Sequence, residues 1–335
     1  MKYRKLPKSD LHLSEIGFGA WTVATNWWGH IEDNDKQSLL ENALELGINF
    51  FDTADTYGEG FGEEVLAKYL GHKRHDMVIA TKFGYDFYDK TPRIGHQERP
   101  QKFEPEFIKF ACEQSLKRLK TDYIDIYQLH NPRIDTIEQD YVFETLEELK
   151  SEGKIRHYGS ALGPDIGWFE EGEASMKERH VTSLQIIYSI LEQDPARDFF
   201  KTAKDMEVGL ISRVPHASEA LTGKYKEPPI FKEGDHRSHR RIEWLAWALK
   251  RVEKLDFIYG EEIGRTLSQA AIQFCLAQPT IISVLPNITN LSDLNHFVES
   301  LECTEFSESE DAEILQLWNT DFKFEEDINQ NLSEV

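Results

Sequence analysis

Along this chain, short apolar runs alternate with segments of helical period, and no linker or low-complexity stretch interrupts them. The apolar runs are 15–19, 48–51, 78–81, 124–128, 156–160, 184–188, 209–212 and 281–285. Each is β-branched or aromatic and bounded by turn residues, as buried parallel strands are. Helical patterns fill the intervals at about 35–46, 62–70, 104–119, 136–151, 165–179, 196–206 and, as one or two long helices, 242–277. Gly47, Gly71 and Gly153 stand where helices should stop. A short stretch before the first run, Leu6 to Ile16, suits a hairpin. Regular βα alternation implies a parallel sheet. Eight units without a split predict one α/β domain over residues 1–335, a closed (β/α)8 TIM barrel with extended loops at its C-terminal face and an acidic tail at 305–335. No G-x-G-x-x-G follows the first strand, which argues against a doubly wound dinucleotide fold.

Four polar residues sit where these strands end: Asp52 in INFFDTADTYGEG, Tyr57 five residues on, Lys82 in MVIATKFG, and His130 in YIDIYQLHNP. Groups at the carboxyl ends of consecutive parallel strands converge on one mouth. Each alone has an ordinary structural use: Asp52 as a cap, Tyr57 as packing, Lys82 or His130 as a solvated or satisfied side chain. Together they suit proton donation. A phenol has a pKa near ~10 and is a weak acid; an adjacent ammonium favours its phenolate and lowers that pKa. A carboxylate holds the ammonium charged and aimed, and an imidazole can fix a carbonyl oxygen. Schiff-base chemistry at Lys82 needs a neutral amine, and Asp52 argues against that.

The balance of charge narrows the partners. The 335 residues carry a net charge of −22, so nucleic acid and anionic membranes are poor partners. No apolar run approaches the ~18 residues of a membrane helix, and the start MKYRKLPKSD lacks a signal-peptide core. Cys112, Cys275 and Cys303 are few and far apart, as in a reducing cytoplasm, and suit neither a disulfide framework nor a metal site. The basic stretch 236–241 reads as a loop entering a helix in preference to a lid.

FFDTADTYG, IATKFG and DIYQLHNP together resemble the aldo-keto reductase family, as do LKSEGKIRHYGSA, LQIIYSIL and GLISRVPHASEALTGKY. The resemblance covers nearly the whole chain. It implies a barrel with a nicotinamide cofactor across the strand ends, Tyr57 as general acid and base, Lys82 and Asp52 as its tuning, and His130 as the orienter of a substrate carbonyl. It assigns cofactor contacts to Trp21, Ser160, Gln185, Arg213, Pro215, Lys224, Asn287, Thr289 and Asp293. Ser160 and Gln185 match the carboxamide-binding residues, with Ala161 in place of the family's usual Asn. Arg213 stands where many members stack an aromatic ring. In the last βα turn, Asn287, Thr289 and Asp293 replace the usual Lys or Arg for a 2′-phosphate. The family favours NADPH; this local chemistry leans towards NADH, which stays the alternative.

Trp27, Trp28, Phe83 and Tyr85 are expected to wall the substrate pocket, and the long segment 85–103, with Arg93 and Arg99, to shape it. The implied activity is reversible reduction of a small aldehyde or ketone. A cofactor-binding regulatory subunit, similar to potassium-channel β subunits, is the alternative. Physiological substrate, direction of flux and oligomeric state stay open.

Overall fold

Strand period decides what this barrel contains. In a computed structural model, which describes residues 1–89, 98–163, 168–232 and 234–323, the strands are β1 (Tyr3–Lys5), β2 (His12–Ser14), β3 (Phe18–Gly19), β4 (Phe50–Asp52), β5 (Val78–Phe83), β6 (Ile124–His130), β7 (Ile155–Ala161), β8 (Ser183–Ile187), β9 (Gly209–Arg213) and β10 (Ile281–Leu285). β3 to β10 form one eight-stranded sheet, each strand parallel to its neighbour and in chain order. A parallel bridge between Ile16 and Val284 joins its two edges, with Val284 N donating to Glu15 O at 2.8 Å and Gly17 N to Val284 O at 2.9 Å. The expected first strand, 15–19, thus spends half its length closing the ring.

Alternate residues point inward. Phe50, Val78, Ala80, Ile126, Ile211 and Ile282 fill the barrel as one apolar cluster. The antiparallel β1–β2 hairpin plugs its lower end with Leu6, Leu11 and Leu13, and Trp21 and Tyr57 meet the cluster from the upper end. Arg4 pins this plug: its guanidinium donates to Glu15 Oε1 at 2.7 Å, to Leu276 O at 2.8 Å and to Ile281 O at 2.8 Å.

The helices are α1 (Trp21–Ala24), α2 (Asp33–Glu45), α3 (Phe61–Leu70), α4 (Pro105–Leu119), α5 (Ile134–Ile137), α6 (Asp140–Ser151), α7 (Phe169–Lys177), α8 (Ala196–Asp205), α9 (Ile242–Val252), α10 (Leu267–Leu276), α11 (Leu291–Glu299) and α12 (Glu308–Asn319). α2 ends as expected, with Gly47 at φ +88°. The helix expected at 136–151 is a one-turn α5 followed by α6, and 242–277 holds two separate helices. α11 and α12 were not anticipated, although Ser307 and Glu310 form a complete capping box and Asn290 caps α11. The tail expected from 305 therefore begins with α12, and its remainder, 324–335, lies outside the described residues. Among the described residues no helix is long and apolar enough to cross a membrane. The three cysteines are free, Cys112 and Cys275 buried.

One buried charge cluster ties β5 and β6 together at the lower face. Asp125, 1% exposed, accepts from Arg74 Nη2 at 2.8 Å, Arg156 Nη1 at 2.8 Å and the Ile79 amide at 2.9 Å. Removing one partner of a buried pair strands the other charge. Asp125→Ala is therefore expected to lower unfolding stability by about 3–5 kcal/mol, measured by urea denaturation; a loss near zero would mean Arg74 finds other solvation.

Candidate active site

β4 ends on Asp52, β5 carries Lys82 one residue before its end, and β6 ends on His130. All three belong to the inward-facing set, so they converge at the upper end of the barrel. Tyr57 comes from the β4–α3 loop. That loop can turn so tightly because Gly58 adopts φ +61°; a Cβ there would lie 2.5 Å from Ala24 O.

The ammonium of Lys82 is fully engaged. It donates to Asp52 Oδ1 at 2.5 Å and Thr53 O at 2.7 Å, and lies 3.5 Å from Tyr57 Oη. Lys82 is 1% exposed and Asp52 0%. The second oxygen of Asp52 accepts from Gln185 Nε2 at 2.8 Å and Gln128 Nε2 at 3.1 Å. A buried carboxylate with its charge matched and its remaining lone pairs filled is a tolerable arrangement; one lacking these contacts is not. Three rings fix the Tyr57 phenol edge-on: Trp21 at 6.4 Å, Trp27 at 5.9 Å and His130 at 6.0 Å between centroids.

Burial pushes the Tyr57 pKa above its ordinary value; Lys82 pulls it down and Asp52 pushes it up. Lys82 acts in the expected direction, but desolvation outweighs it, so the net shift is upward. His130 titrates well below the usual imidazole range, held neutral by burial, Lys82 and Arg213. Its Nδ1 is buried without a hydrogen-bond partner.

Above these groups opens a cleft of about 920 Å³, lined by Tyr57, Lys82, His130 and, of the other expected residues, Trp21, Trp27, Trp28, Tyr85, Gln185, Arg213 and Asn287. Trp21 Nε1 donates to Asn287 Oδ1 at 3.0 Å, joining the two ends of the sheet across the cleft. Tyr85 Oη donates to Glu98 at 2.5 Å and accepts from Asn131 at 2.9 Å. Arg213 donates to Leu162 O at 2.9 Å, and burial lowers its pKa.

Two expected residues point elsewhere. Phe83 follows the inward Lys82 and so faces outward, where it stacks on Tyr127 at 4.3 Å in the layer between strands and helices. Ser160 pairs in register with the outward Leu129 and accepts from Ser175 of α7 at 3.1 Å. Its inward neighbours Gly159 and Ala161 flank it, and Ala161 and Leu162 line the cleft. Pro215 is buried in the loop after β9. Lys224, Thr289 and Asp293 lie past Asn287, where Lys224 Nζ is 3.5 Å from Asp293 Oδ1.

One residue behind the site went unread in the sequence. Gln128 is one residue pair below His130 on the same inward face, a parity that the motif itself displays. The basic stretch does two jobs: it leads into α9, and His236 also stacks on Trp27 at 5.0 Å while Arg240 reaches Ser218 Oγ at 3.1 Å beside the cleft. Arg99 pairs with Glu59 at 2.6 Å at the mouth; Arg93 lies outside the described residues.

The model of the aldo/keto reductase family matches residues 15–319. An uncharacterized oxidoreductase of Bacillus subtilis, YqkF, is 32% identical over 314 residues, covering 92% of this chain and 94% of its own. A probable voltage-gated potassium channel subunit beta of Arabidopsis thaliana is 27% identical over 327 residues, covering 90% and 92%. Among solved structures, an aldo-keto reductase from Bacillus halodurans in its holo form superposes with a TM-score of 0.75 at 31% identity, covering 95% of this chain and 96% of its own. With a family match over nearly the whole chain and the barrel it requires, this chain belongs to the aldo/keto reductase family.

Proposed function

We propose that the chain catalyses reversible reduction of a small aldehyde or ketone to an alcohol, using a nicotinamide dinucleotide and Tyr57 as proton donor. The observation that carries this reading is the Tyr57 phenol, 3.5 Å from an ammonium locked by Asp52 and edge-on to a neutral imidazole, at the floor of an open cleft.

The cleft suits such a cofactor. Tyr57, Gln185, Arg213, Ser218 and Asn287 all line it. Gln185 spends its amide on Asp52, leaving its carbonyl oxygen as an acceptor for a carboxamide. The Arg213 guanidinium is planar and weakly hydrated. In the following loop Val214, Ala217, Ser218 and Glu219 all have positive φ, the kind of backbone whose amides make an anion nest. These residues would hold the group, with Trp21 and Asn287 closing its side; Ser160 has no part, because its hydroxyl faces α7. When bound, the cofactor supplies hydride to the carbonyl carbon.

The rest is done by the chain's own groups. A raised pKa keeps Tyr57 protonated at neutral pH, so it arrives as an acid. As the carbonyl oxygen gains charge, the phenol proton moves to it, and Lys82 stabilises the phenolate left behind. Asp52, held by Gln128 and Gln185, keeps Lys82 charged and aimed. His130, being neutral, can donate one ring N–H to the carbonyl oxygen without surrendering a net charge. Trp27, Trp28 and Tyr85 give the substrate an apolar wall, and the Glu98–Tyr85–Asn131 line gives it a polar edge.

The likeness to the Arabidopsis channel subunit supports a second reading, a regulatory subunit that holds the cofactor with little turnover. It predicts tight cofactor retention without steady-state oxidation by any of a panel of small aldehydes.

Tyr57→Phe is expected to lower kcat for such an aldehyde by roughly 10²–10⁴ while cofactor affinity, followed by fluorescence, stays near that of the unmodified chain. A variant retaining most of its kcat would place the proton donor elsewhere.

His130 also leaves a pH signature. Its folded-state pKa lies well below its unfolded value of 6.5, so between the two the unfolded chain binds a proton that the native one does not. Its contribution to stability is present above pH 6.5 and falls as pH drops, by about 1.4 kcal/mol per unit at most. Buried His216, lowered to about 4, acts in the same direction. Denaturant unfolding at pH 5 and 7 should show His130→Asn losing less stability on acidification than the unmodified chain; equal losses would mean the imidazole is solvated.

A further inference from the structure

Two residues before Tyr57, the β4–α3 loop buries a second carboxyl group. Asp55 is fully buried, does not line the cleft, and among the described residues neither of its oxygens has a hydrogen-bond partner. Glu63 of α3, Arg118 of α4 and Lys82 of β5 act on its charge, while Tyr127 of β6 and Tyr88 after β5 feel it. Cys112 of α4 acts in turn on Tyr127. Both cations are already spent. Arg118 donates from Nε to Glu63 Oε2 at 2.6 Å, from Nη1 to Tyr88 Oη at 3.2 Å and from Nη2 to Ser115 Oγ at 3.4 Å. Thr81 Oγ1 fills the other Glu63 oxygen at 2.6 Å, and Lys82 is held by Asp52 and Thr53 O. Two carboxyl groups therefore face one guanidinium, which bonds to Glu63. A buried carboxylate with neither cation nor donor is far costlier than the neutral acid. Burial first, then Glu63, hold the Asp55 pKa well above the ordinary carboxylate value, and Arg118, the Thr56 amide and Lys82 offset this in part.

The same residue stands where the loop leaves the sheet. Thr53 N donates to Ala80 O at 2.8 Å and Asp55 N to Lys82 O at 3.3 Å, so the β4–β5 ladder runs on to Asp55. From there the chain turns: Tyr57 N donates to Ala54 O at 3.1 Å, and Tyr57 O accepts from Gly62 N at 2.9 Å. Arg118 packs against this turn, since a Cβ at Gly60 would lie 2.6 Å from its Cδ. We infer that Asp55 is a positioning residue: as the uncharged acid it seats the β4–α3 loop on the Glu63–Arg118 pair and so sets where the Tyr57 phenol stands. This role presupposes that Tyr57 is the proton donor proposed above. Ionised, Asp55 would meet Glu63 as a like charge and push the loop off its seat.

Two variants test the role: Asp55→Asn keeps the shape of the neutral acid and cannot ionise, and Asp55→Ala removes it. The unfolded chain loses this proton near pH 3.8, while the native chain keeps it to higher pH. Between those values the unmodified protein loses stability as pH rises. The urea midpoint of Asp55→Asn should therefore gain on that of the unmodified chain from pH 5 to pH 8. With a small aldehyde at pH 7, Asp55→Asn should keep kcat within about threefold, and Asp55→Ala should lose roughly tenfold to a hundredfold with KM little changed. Affinity for NADPH, read by its fluorescence, should be the same in all three proteins, which separates a displaced phenol from a collapsed cleft. A midpoint difference that stays constant with pH, or moves against Asp55→Asn, overturns the uncharged acid. Retention of kcat by Asp55→Ala, or equal loss in both variants, overturns the positioning role. Absence of turnover in the unmodified chain overturns the oxidoreductase reading and this role with it, and the urea midpoints still decide the charge of Asp55.

Discussion

The ion pair between Lys82 and Asp52 is what the upper half of this barrel is organised around. Both side chains are withdrawn from water, and a buried pair is tolerable only when its leftover hydrogen-bonding capacity is filled. Here β4, β5, β6 and β8 each contribute: the Thr53 carbonyl takes one ammonium proton, and Gln128 and Gln185 take the free carboxylate oxygen. Four strands are thereby held in one register by a single polar knot. The same knot defines the field at the Tyr57 phenol, since a lysine balanced at 2.5 Å by aspartate is a weaker perturbation than a bare ammonium. Burial then decides the direction of the phenol's pKa.

Much of this was legible because three of the four site residues belong to strand ends, and strand ends are marked by abrupt changes from apolar to polar residues. Asp52, Lys82 and His130 each stand at such a change, and the barrel brings them together. The errors are equally physical. In a strand one residue of offset exchanges the two faces. Phe83 adjoins Lys82 in sequence yet faces the helices, and Ser160 adjoins Ala161 yet bonds to α7. A motif match locates a strand to within a residue; only the parity set by neighbouring strands chooses the face. Gln128 shows that parity was available: it is two residues before His130, hence on the same side.

Loops were less readable for a different reason. The segment from Val214 to Arg241 has neither helical nor strand period, so its path depends on contacts with distant residues. It packs His236 on Trp27 and reaches Asp293 through Lys224, partners more than 60 residues away in sequence. Composition identified the basic run 236–241 but not where it would lie. α12 was missed despite its capping box, because an acidic, weakly patterned segment reads as solvated tail.

The division between strands and loops separates what this site does from what it does it to. Asp52, Lys82 and His130 project from a sheet whose geometry is locked below by the Asp125 cluster and the hairpin plug, and Tyr57 joins them from the β4–α3 loop. Trp27, Trp28, Tyr85 and Ser218 of the cleft wall lie on the loops above, where substitution leaves the barrel intact. At the cleft floor the chain has Ala161 and Leu162, apolar residues that give no side-chain hydrogen bond, while Arg213 and Gln185 remain as the polar contacts. The polar knot sits on the sheet and much of the cleft wall on loops, so the wall can change without disturbing the knot.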